Sequence, residues 1–565
     1  MGRKIVILLL ITFSSLNISA QFTKYVVKFK DKAGSPFSIN DPSKYLSQRA
    51  ISRRAKQNIA IDETDLPVNP SYIDSISSIP NVTVLDESKW FNQVCIATTD
   101  PLAIQKINQF SFVITTSPVK RLASTLTANR IGKIDNNKFT EQVEKITSPA
   151  SPLTGNFYSY GNSFAQINIH NGQYLHNQGF RGEGMLIAIL DAGFYHYLSL
   201  PAFDSVNQKG LVIDTYDFVD NVPAVNENYY HGMQCFSIIA GNIPGQLVGS
   251  APNAHFLLYQ SEDVSSESPV EEQYWIAAAE RADSAGADVI STWLGYNTFD
   301  NPVFNYTYAD MNGHTTPIAL AAGLAAKKGI IVLAAAGNEG DDDWHYITTP
   351  ADADSILSIA AVDVSGNIAP FSSFGPSSDG RVDPTSASVG SGTALSSTTG
   401  PIDVGSGTSF ATPNLAGLVT CLWQAFPDFN NMEIITAVEK SSSIYNNPDN
   451  RIGFGIPDFK KAYDDLLNQR LLKNAQQILG SSYLKVYPNP FNNNFTVLIK
   501  PKLTSTATFR LYDAAGKLYL NQQVSLQEGV TQVINFSTFQ PLAKGMYILK
   551  FSDGKNKESI KLLHD

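Results

Sequence analysis

The sequence has little cysteine, little histidine and little charge for its 565 residues, of which 16% are Asp, Glu, Lys or Arg. Its three cysteines lie far apart, at Cys95, Cys235 and Cys421. This spacing excludes a compact metal knuckle, and an odd number of thiols does not indicate a disulfide framework. The eight histidines are scattered, which gives a zinc site little support. A net charge of −10 argues against nucleic acid as a partner.

Long apolar runs are scarce as well. The run near the N-terminus covers residues 5–13, about half of the ~20 residues that a membrane-spanning helix needs. Two basic residues precede it, and small and polar residues that end at Ala20 follow it. This order is typical of a secretory signal peptide, which we predict over residues 1–20. No other stretch is long enough to span a bilayer, so no transmembrane anchor is expected.

The remaining length is enough for three or four units at ~150 residues per domain. Residues 21–120 combine strand-like alternation, for example over 25–32, with helical spacing over 42–57. This combination predicts a small α+β module. Residues 121–155 are rich in Ser, Thr, Asn and Lys. We interpret them as an exposed linker that is readily cut.

Residues 156–475 alternate between apolar, strand-like runs and helical stretches. The strand-like runs are residues 185–190, 255–259, 287–294, 330–336 and 356–362, and the helical stretches are residues 232–240, 269–285 and 317–328. Apolar strands separated by helices predict a doubly wound α/β domain with a mainly parallel sheet. In such a domain the functional site lies at the carboxyl ends of the strands.

Three polar residues stand at the ends of these elements. Asp191 comes directly after the first buried strand, His231 opens a helix, and Asn338 follows an apolar strand. Each has an ordinary interpretation when it is taken singly, as a turn residue, a surface histidine or a loop amide. Together in one α/β domain, they supply an acid, a base and a hydrogen-bond donor for an oxyanion.

A serine completes this set. Ser409 stands in the word Gly-Thr-Ser-Phe-Ala-Thr-Pro (407–413), ahead of an apolar helical run over residues 416–426, with Pro413 expected in the first helical turn. A helix N-terminus offers unpaired N–H groups and a partial positive charge, which stabilise negative charge beside the serine. Gly-Thr-Ser alone is also a common loop and N-cap sequence, so the interpretation of Ser409 as a nucleophile depends on the other three residues.

The four residues follow one another in the order Asp191, His231, Asn338, Ser409. They stand in the words Asp-Ala-Gly-Phe, His-Gly, Ala-Ala-Gly-Asn-Glu-Gly and Gly-Thr-Ser-Phe-Ala-Thr-Pro. In this order and in these words, the sequence resembles the subtilisin-like serine proteases (subtilases, peptidase S8 family). The resemblance implies that Ser409 is the nucleophile, His231 the base and Asp191 the acid that orients the base. It places Asn338 in the oxyanion hole. It also implies two segments that flank the substrate, namely Trp293, Leu294 and Gly295, and Ala335, Ala336 and Gly337.

The sequence departs from the usual subtilase words at Ala192, Met233 and Trp293. None of these changes removes a catalytic group, but they bear on the shape of the cleft. The leading hypothesis is a secreted serine endopeptidase that acts on protein or peptide substrates. An inactive, adhesin-like surface protein and a transpeptidase on the same scaffold stay as alternatives. The chemistry requires no cofactor and no metal; residues 341–343 (Asp-Asp-Asp) would suit structural calcium, although an acidic turn is the simpler account.

The first module has a place in this resemblance. Many subtilases carry an N-terminal propeptide that assists folding and blocks the cleft until it is cut away. Residues 21–120 have the size and position of such a segment. We therefore predict that the chain's own propeptide acts as its inhibitor and folding chaperone, and that processing falls within residues 121–155.

Residues 483–565 follow a Gly-Ser-Ser break and have the pattern of strands separated by turns. A β-sandwich that merely steadies the enzyme or binds carbohydrate is one interpretation. The words Val-Tyr-Pro-Asn-Pro-Phe (486–491), Leu-Tyr-Asp (511–513) and Gly-Met-Tyr (545–547) resemble the C-terminal sorting domain of type IX secretion. That resemblance implies the type IX secretion machinery as a partner, and a protein that is secreted or held at the outer cell surface.

Overall fold

The computed structural model describes residues 22–121, 142–145, 155–227, 229–492, 494–537 and 542–565. The predicted signal peptide and most of the predicted linker lie outside these residues. The chain divides into two compact units, one that ends at Ala462 and one that begins at Tyr463, and each is described by itself. Within the described residues, no helix combines the length and the apolar character that crossing a membrane requires.

The first unit opens with an antiparallel sheet in the strand order β2-β3-β1-β4, as the α+β prediction requires. Its elements are β1 (Phe22–Phe29), α1 (Gln48–Lys56), α2 (Pro70–Ser77), β2 (Thr83–Ser88), β3 (Gln93–Ala97), α3 (Pro101–Ile107) and β4 (Val113–Arg121). We call residues 22–121 the N-terminal module. The single helix predicted over residues 42–57 is wrong in its start, because Ser47 caps α1 by accepting a hydrogen bond from the Ala50 amide.

The rest of the first unit is built on a sheet of seven parallel strands in the order β14-β13-β12-β11-β6-β10-β7. The strands of this part of the unit, of which β6, β7 and β10 to β14 form the seven-stranded sheet, are β5 (Gln142–Lys145), β6 (Leu186–Asp191), β7 (Val212–Asp217), β8 (Asn242–Ile243), β9 (Leu247–Val248), β10 (His255–Gln260), β11 (Val289–Thr292), β12 (Ile331–Ala335), β13 (Leu357–Val362), β14 (Ser386–Val389), β15 (Ser391–Ser396) and β16 (Ile402–Ser406). Its helices are α4 (Phe164–Asn168), α5 (Gly172–Asn177), α6 (Asp204–Gln208), α7 (His231–Ala240), α8 (Val270–Ala285), α9 (Pro317–Lys327), α10 (Thr408–Ala425) and α11 (Asn431–Ser441). A further helix, α12 (Phe459–Leu479), spans the division between the units.

Helices cover both faces of this sheet, which confirms the doubly wound α/β prediction. Helices α8 and α9 pack on the face that carries Leu186, Ala188 and Leu190 of β6. Helices α7 and α10 pack together on the other face, against β6 and against β11 to β14. Strands with two covered faces are mainly apolar, and every residue of β6, β11, β12 and β13 is buried.

Helix α10 begins earlier than the sequence predicted. The apolar run suggested a start near residue 416, whereas the helix starts at Thr408 and Ser409 is its second residue. Pro413 therefore lies inside the helix and not in its first turn. Because proline has no N–H, the carbonyl of Ser409, four residues earlier, lacks its helical donor.

The second unit holds two antiparallel sheets, β17-β18-β21 and β20-β19-β22-β23. Its strands are β17 (Leu484–Tyr487), β18 (Asn494–Ile499), β19 (Ser505–Asp513), β20 (Leu518–Leu526), β21 (Gln532–Ser537), β22 (Gly545–Ser552) and β23 (Lys557–His564). Phe495 and Phe536 from one sheet and Phe509 and Phe551 from the other share a single core. The all-β prediction for the tail is confirmed.

A buried ionic network joins the N-terminal module to the sheet domain. Asp283, near the end of α8, accepts hydrogen bonds from Arg53 at 2.5 Å and Arg54 at 2.8 Å, and it lies 3.4 Å from the ammonium of Lys89. Arg54 also pairs with Asp65 at 2.6 Å. Burial alone would raise the pKa of Asp283, but Lys89, Arg53 and Arg54 together hold it below its usual range. One buried carboxylate is therefore shared by three cations of the module, one of which, Arg54, has Asp65 as a second partner.

Removing the charge of Asp283 should loosen this contact. We expect Asp283→Asn to lower the free energy of unfolding of the full-length chain by about 3–5 kcal/mol, because it leaves the buried guanidinium of Arg53 without its carboxylate partner. Urea unfolding followed by tryptophan fluorescence measures this loss. Asp41→Asn, which breaks an exposed pair with Lys44, should leave the urea midpoint unchanged. Equal midpoints for both variants would show that the network contributes no stability.

Candidate active site

Asp191 and His231 form a direct hydrogen-bonded pair. Asp191 is the last residue of β6, and His231 is the first residue of α7. The ring nitrogen Nδ1 of His231 lies 2.9 Å from Oδ2 and 3.1 Å from Oδ1 of Asp191. A carboxylate only accepts, so Nδ1 carries the proton and Nε2 is left as the basic nitrogen. Both side chains are buried, with Asp191 fully covered and His231 1% exposed.

Two glycines and one amide hold this pair in place. A Cβ on Gly232 would lie 2.5 Å from the carbonyl of Gly193 and 3.0 Å from the Asp191 side chain, so only glycine lets α7 approach β6 so closely. The amide of Ala192 donates to Oδ1 of Asp191 at 2.5 Å. Since this donor is the backbone, the alanine that replaces the family's usual hydroxyl residue does not remove it.

Ser409 is brought to His231 through Cys235. The thiol of Cys235, one turn after His231 on α7, donates to the carbonyl of Ser409 at 3.2 Å, and its sulfur lies 4.0 Å from Nε2 of His231. This carbonyl is the one that Pro413 leaves without a helical donor. The ring of Phe410, the next residue, has its centre 6.1 Å from that of His231. One sulfur atom thus contacts both the base and the backbone of the serine.

Asn338 is fixed by the residue before the serine. The backbone amide and the hydroxyl of Thr408 both donate to Oδ1 of Asn338, at 2.8 Å and 2.9 Å. With its oxygen held at the start of α10, the asparagine has its NH₂ group as the donor for other partners. Four residues predicted from separate parts of the sequence are therefore brought to one place, at the carboxyl ends of β6 and β12. Their combination suits acyl transfer by an activated serine.

The sequence matches three family profiles in chain order. Residues 24–144 match the peptidase S8 propeptide domain of Bacteroidota, residues 182–455 match the Subtilase family, and residues 485–564 match the secretion system C-terminal sorting domain. Thermitase from Thermoactinomyces vulgaris is 30% identical over 246 residues, which is 43% of this chain and 75% of that protein. The chain belongs to the subtilase family.

Another relative of this subtilase is the thermostable alkaline protease of Halalkalibacterium halodurans, which is 26% identical over 284 residues, 50% of this chain and 68% of that protein. The subtilase spans less than two thirds of some other relatives, 57% in one case. Among solved structures, MycP1 from Mycobacterium smegmatis matches with a TM-score of 0.42 and 21% identity over 57% of this chain and 89% of that chain. The family and its subtilisin homologues indicate a serine endopeptidase, and the sorting domain indicates secretion or a place at the cell surface.

The two predicted substrate-flanking segments of this subtilase lie at the same edge of the sheet as the pair. Residues 293–295 directly follow β11, and residues 335–337 end β12, its parallel neighbour. The ring centre of Trp293 is 6.5 Å from that of His231. Gly337 has a φ of +113°, which favours glycine, and a Cβ there would lie 2.4 Å from the Glu339 carboxylate. Burial raises the pKa of Glu339, which accepts a hydrogen bond from the Ser373 hydroxyl at 2.8 Å.

Sequence reasoning missed Cys235 and Thr408. A signal for each exists in the spacing: Cys235 follows His231 by four residues on one helix face, and Thr408 adjoins the serine. Neither spacing alone says which atom the side chain will meet. The aspartates at 341–343, by contrast, lie exposed on a turn, with the Asp342 amide bonded to the Glu339 carbonyl.

The close approach at Gly232 gives a test of the Asp191–His231 geometry. We expect Gly232→Ala to lower kcat/KM of the processed subtilase by about 100-fold, because the added methyl group displaces His231 from Asp191. Hydrolysis of a chromogenic peptide measures this effect. The matched control is Gly323→Ala on α9, where the nearest atom to the new Cβ is 3.7 Å away, and it should keep full activity. Full activity in Gly232→Ala as well would contradict the assigned pair.

Proposed function

We propose that this chain is the precursor of a secreted serine endopeptidase that hydrolyses protein and peptide bonds through an acyl-enzyme on Ser409. The observation that carries the proposal is the hydrogen bond of 2.9 Å between His231 Nδ1 and Asp191, which leaves Nε2 as a base on the side of Cys235 and Ser409. A serine hydroxyl is too weakly acidic to attack a peptide carbonyl unaided, so it needs such a base.

The steps follow from these positions. Ser409 Oγ attacks the carbonyl carbon while Nε2 of His231 takes its proton, and the carbonyl oxygen becomes an oxyanion. The imidazolium, stabilised by Asp191, then gives the proton to the leaving amine as the C–N bond breaks. A water molecule then attacks the acyl-enzyme by the same steps. His231 takes one proton from the water and gives it to Ser409 as the ester bond breaks. The peptide acid is released and the site is restored.

Two donors suit the oxyanion. One is the NH₂ group of Asn338, whose oxygen is held by Thr408, and the other is the backbone N–H of Ser409 in the first turn of α10. The helix N-terminus adds a partial positive charge at the same point. Loss of one such donor typically costs ~3 kcal/mol of transition-state stabilisation. Residues 293–295 and 335–337 supply the two walls between which the substrate backbone would lie.

The domain order supports a stepwise maturation. We assign residues 1–20 to the signal peptide, 21–120 to the propeptide, 121–155 to the processed linker, 156–475 to the peptidase and 483–565 to the sorting domain. Matches to the propeptide, Subtilase and sorting profiles in that order support the assignment.

Self-processing is testable with the serine. Ser409→Ala should leave an uncut precursor in a purified preparation, whereas the wild-type chain should be cut within residues 121–155. The processed wild type should also react with a fluorophosphonate at Ser409, as mass spectrometry of the labelled peptide would show. An adhesin without activity would stay unlabelled. Trimming of purified Ser409→Ala at the same place would contradict self-cleavage.

The tail gives a separate test of export. We infer that residues 483–565 address the chain to the type IX secretion machinery, on the basis of the sorting-domain match. A chain that lacks these residues should accumulate in the periplasm of a bacterium with that machinery, as fractionation and immunoblotting would show. Ser409→Ala with an intact tail is the matched control and should still leave the cell. Normal secretion of the deletion would rule out this role.

A further inference from the structure

Each of the two substrate-flanking segments ends in a glycine. Gly295 follows β11 and is exposed, and Gly337 follows β12, the parallel neighbour of β11, and is half-buried. Gly337 directly precedes Asn338, the proposed oxyanion donor. The Cβ atom of a substrate residue is two bonds from its carbonyl carbon. A residue whose carbonyl oxygen bonds to Asn338 therefore places its side chain next to these glycines.

The side chain of Thr348 lies between the two glycines. A Cβ on Gly295 would collide with Oγ1 of Thr348, and a Cβ on Gly337 would lie 3.0 Å from the same atom. Both approaches are closer than the ~3.5 Å that non-bonded heavy atoms prefer. The threonine hydroxyl thus occupies the gap that two residues without side chains would otherwise leave open to the substrate.

Backbone hydrogen bonds hold Thr348 against both segments. Its amide donates to the carbonyl of Ala336 at 3.1 Å. The next residue, Thr349, exchanges two backbone hydrogen bonds with Tyr296, at 2.8 Å and 3.2 Å. Because these bonds involve only the backbone, a change of the side chain at position 348 leaves them in place. The position can therefore be varied without loss of the contacts that build the gap.

The space on the other side of Gly337 is occupied as well. A Cβ there would lie 2.7 Å from the hydroxyl oxygen of Ser373 and would collide with the carboxylate of Glu339. The Ser373 hydroxyl donates to that carboxylate at 2.8 Å and accepts from the Glu339 amide at 3.0 Å. These two bonds fix the glutamate beside the glycine. Oxygen atoms of three side chains therefore surround the position where a substrate side chain would enter.

The hydroxyl of Thr348 makes no hydrogen bond to any residue that the structure describes, although Thr348 is only 1% exposed. A buried hydroxyl without a partner costs free energy, so this atom does not stabilise the fold through hydrogen bonding. What it does contribute is volume, at the one place between the two glycines. A long apolar side chain would have to displace it and would also press against the Glu339 carboxylate, which is unfavourable.

We propose that Thr348 determines the specificity of the cleft by limiting the residue before the scissile bond to a small side chain, that of glycine, alanine or serine. The proposal rests on the proposed endopeptidase function and names the class of peptide that it takes. The threonine acts through the space that it fills between Gly295 and Gly337, so its size, and not its hydroxyl chemistry, sets the limit.

The experiment begins with the processed wild-type enzyme and an unfolded protein, whose product masses identify the residue before each cut. Two peptides that differ only at that position, with alanine or phenylalanine, then give the ratio of their kcat/KM values. We expect the wild type to favour alanine by about tenfold or more. Thr348→Gly, which empties the gap, should lower this ratio about tenfold by raising kcat/KM for phenylalanine.

Two control variants separate size from other effects. Thr348→Val keeps the shape of the side chain without the hydroxyl and should keep the wild-type ratio. Thr298→Gly makes the same kind of change at an exposed threonine of the loop that follows Gly295, and it should also keep that ratio.

Three results would overturn the proposal. In one, product masses of the wild type show mainly large residues before the cut, a result that needs no variant. In another, Thr348→Gly cleaves the alanine peptide but retains the wild-type ratio. In the third, Thr348→Val shifts the ratio as far as Thr348→Gly does, which would assign the effect to the hydroxyl. An enzyme that reacts with fluorophosphonate and gives any of these results loses this inference alone. Absence of both labelling and cleavage would overturn the endopeptidase function too.

Discussion

The structure depends on a charge held at the end of a buried strand. Asp191 has no exposure, and an isolated carboxylate there would carry a large desolvation cost. The Ala192 amide and the His231 ring donate to it, so the two donors together make its burial tolerable. The same hydrogen bond fixes which imidazole nitrogen stays basic. The contact that satisfies a structural need is therefore also the one that sets the chemistry, and position 232 is a glycine because this contact must be close.

A second hydrogen bond, which satisfies a backbone carbonyl, connects the serine to this pair. Proline inside a helix normally leaves a carbonyl without its donor, and Pro413 does so to Ser409. The thiol of Cys235 donates to this carbonyl at 3.2 Å. This hydrogen bond joins α10 to α7 at the point where the nucleophile and the base must meet. Similarly, the backbone amide of Thr408 donates to the side-chain oxygen of Asn338 and fixes its orientation. Hydrogen bonds that involve the backbone thus help to position Ser409 and Asn338.

Sequence reasoning succeeded where one local property decides the outcome. Strands β6, β11, β12 and β13 are mainly apolar because both faces are covered, and Asp191 and Asn338 were found because they follow such apolar runs. It failed at β7 and β14, whose polar residues suit the sheet edges, and at the start of α10, where Thr408 and Ser409 resemble loop residues. It also could not pair Arg54 with Asp283, 229 residues further on, because no local pattern records a contact at that separation.

Helix α8 carries a buried carboxylate near each of its ends. Glu271 is in its first turn and Asp283 in its last, about 18 Å apart along the axis at 1.5 Å per residue. A carboxylate suits the N-terminal end of a helix and is disfavoured at its C-terminal end, where the helix dipole is negative. Asp283 therefore needs Arg53, Arg54 and Lys89, whereas Glu271 is already stabilised by its position. The cations that the N-terminal module supplies thus stabilise a carboxylate that its own position at the C-terminal end of α8 would disfavour.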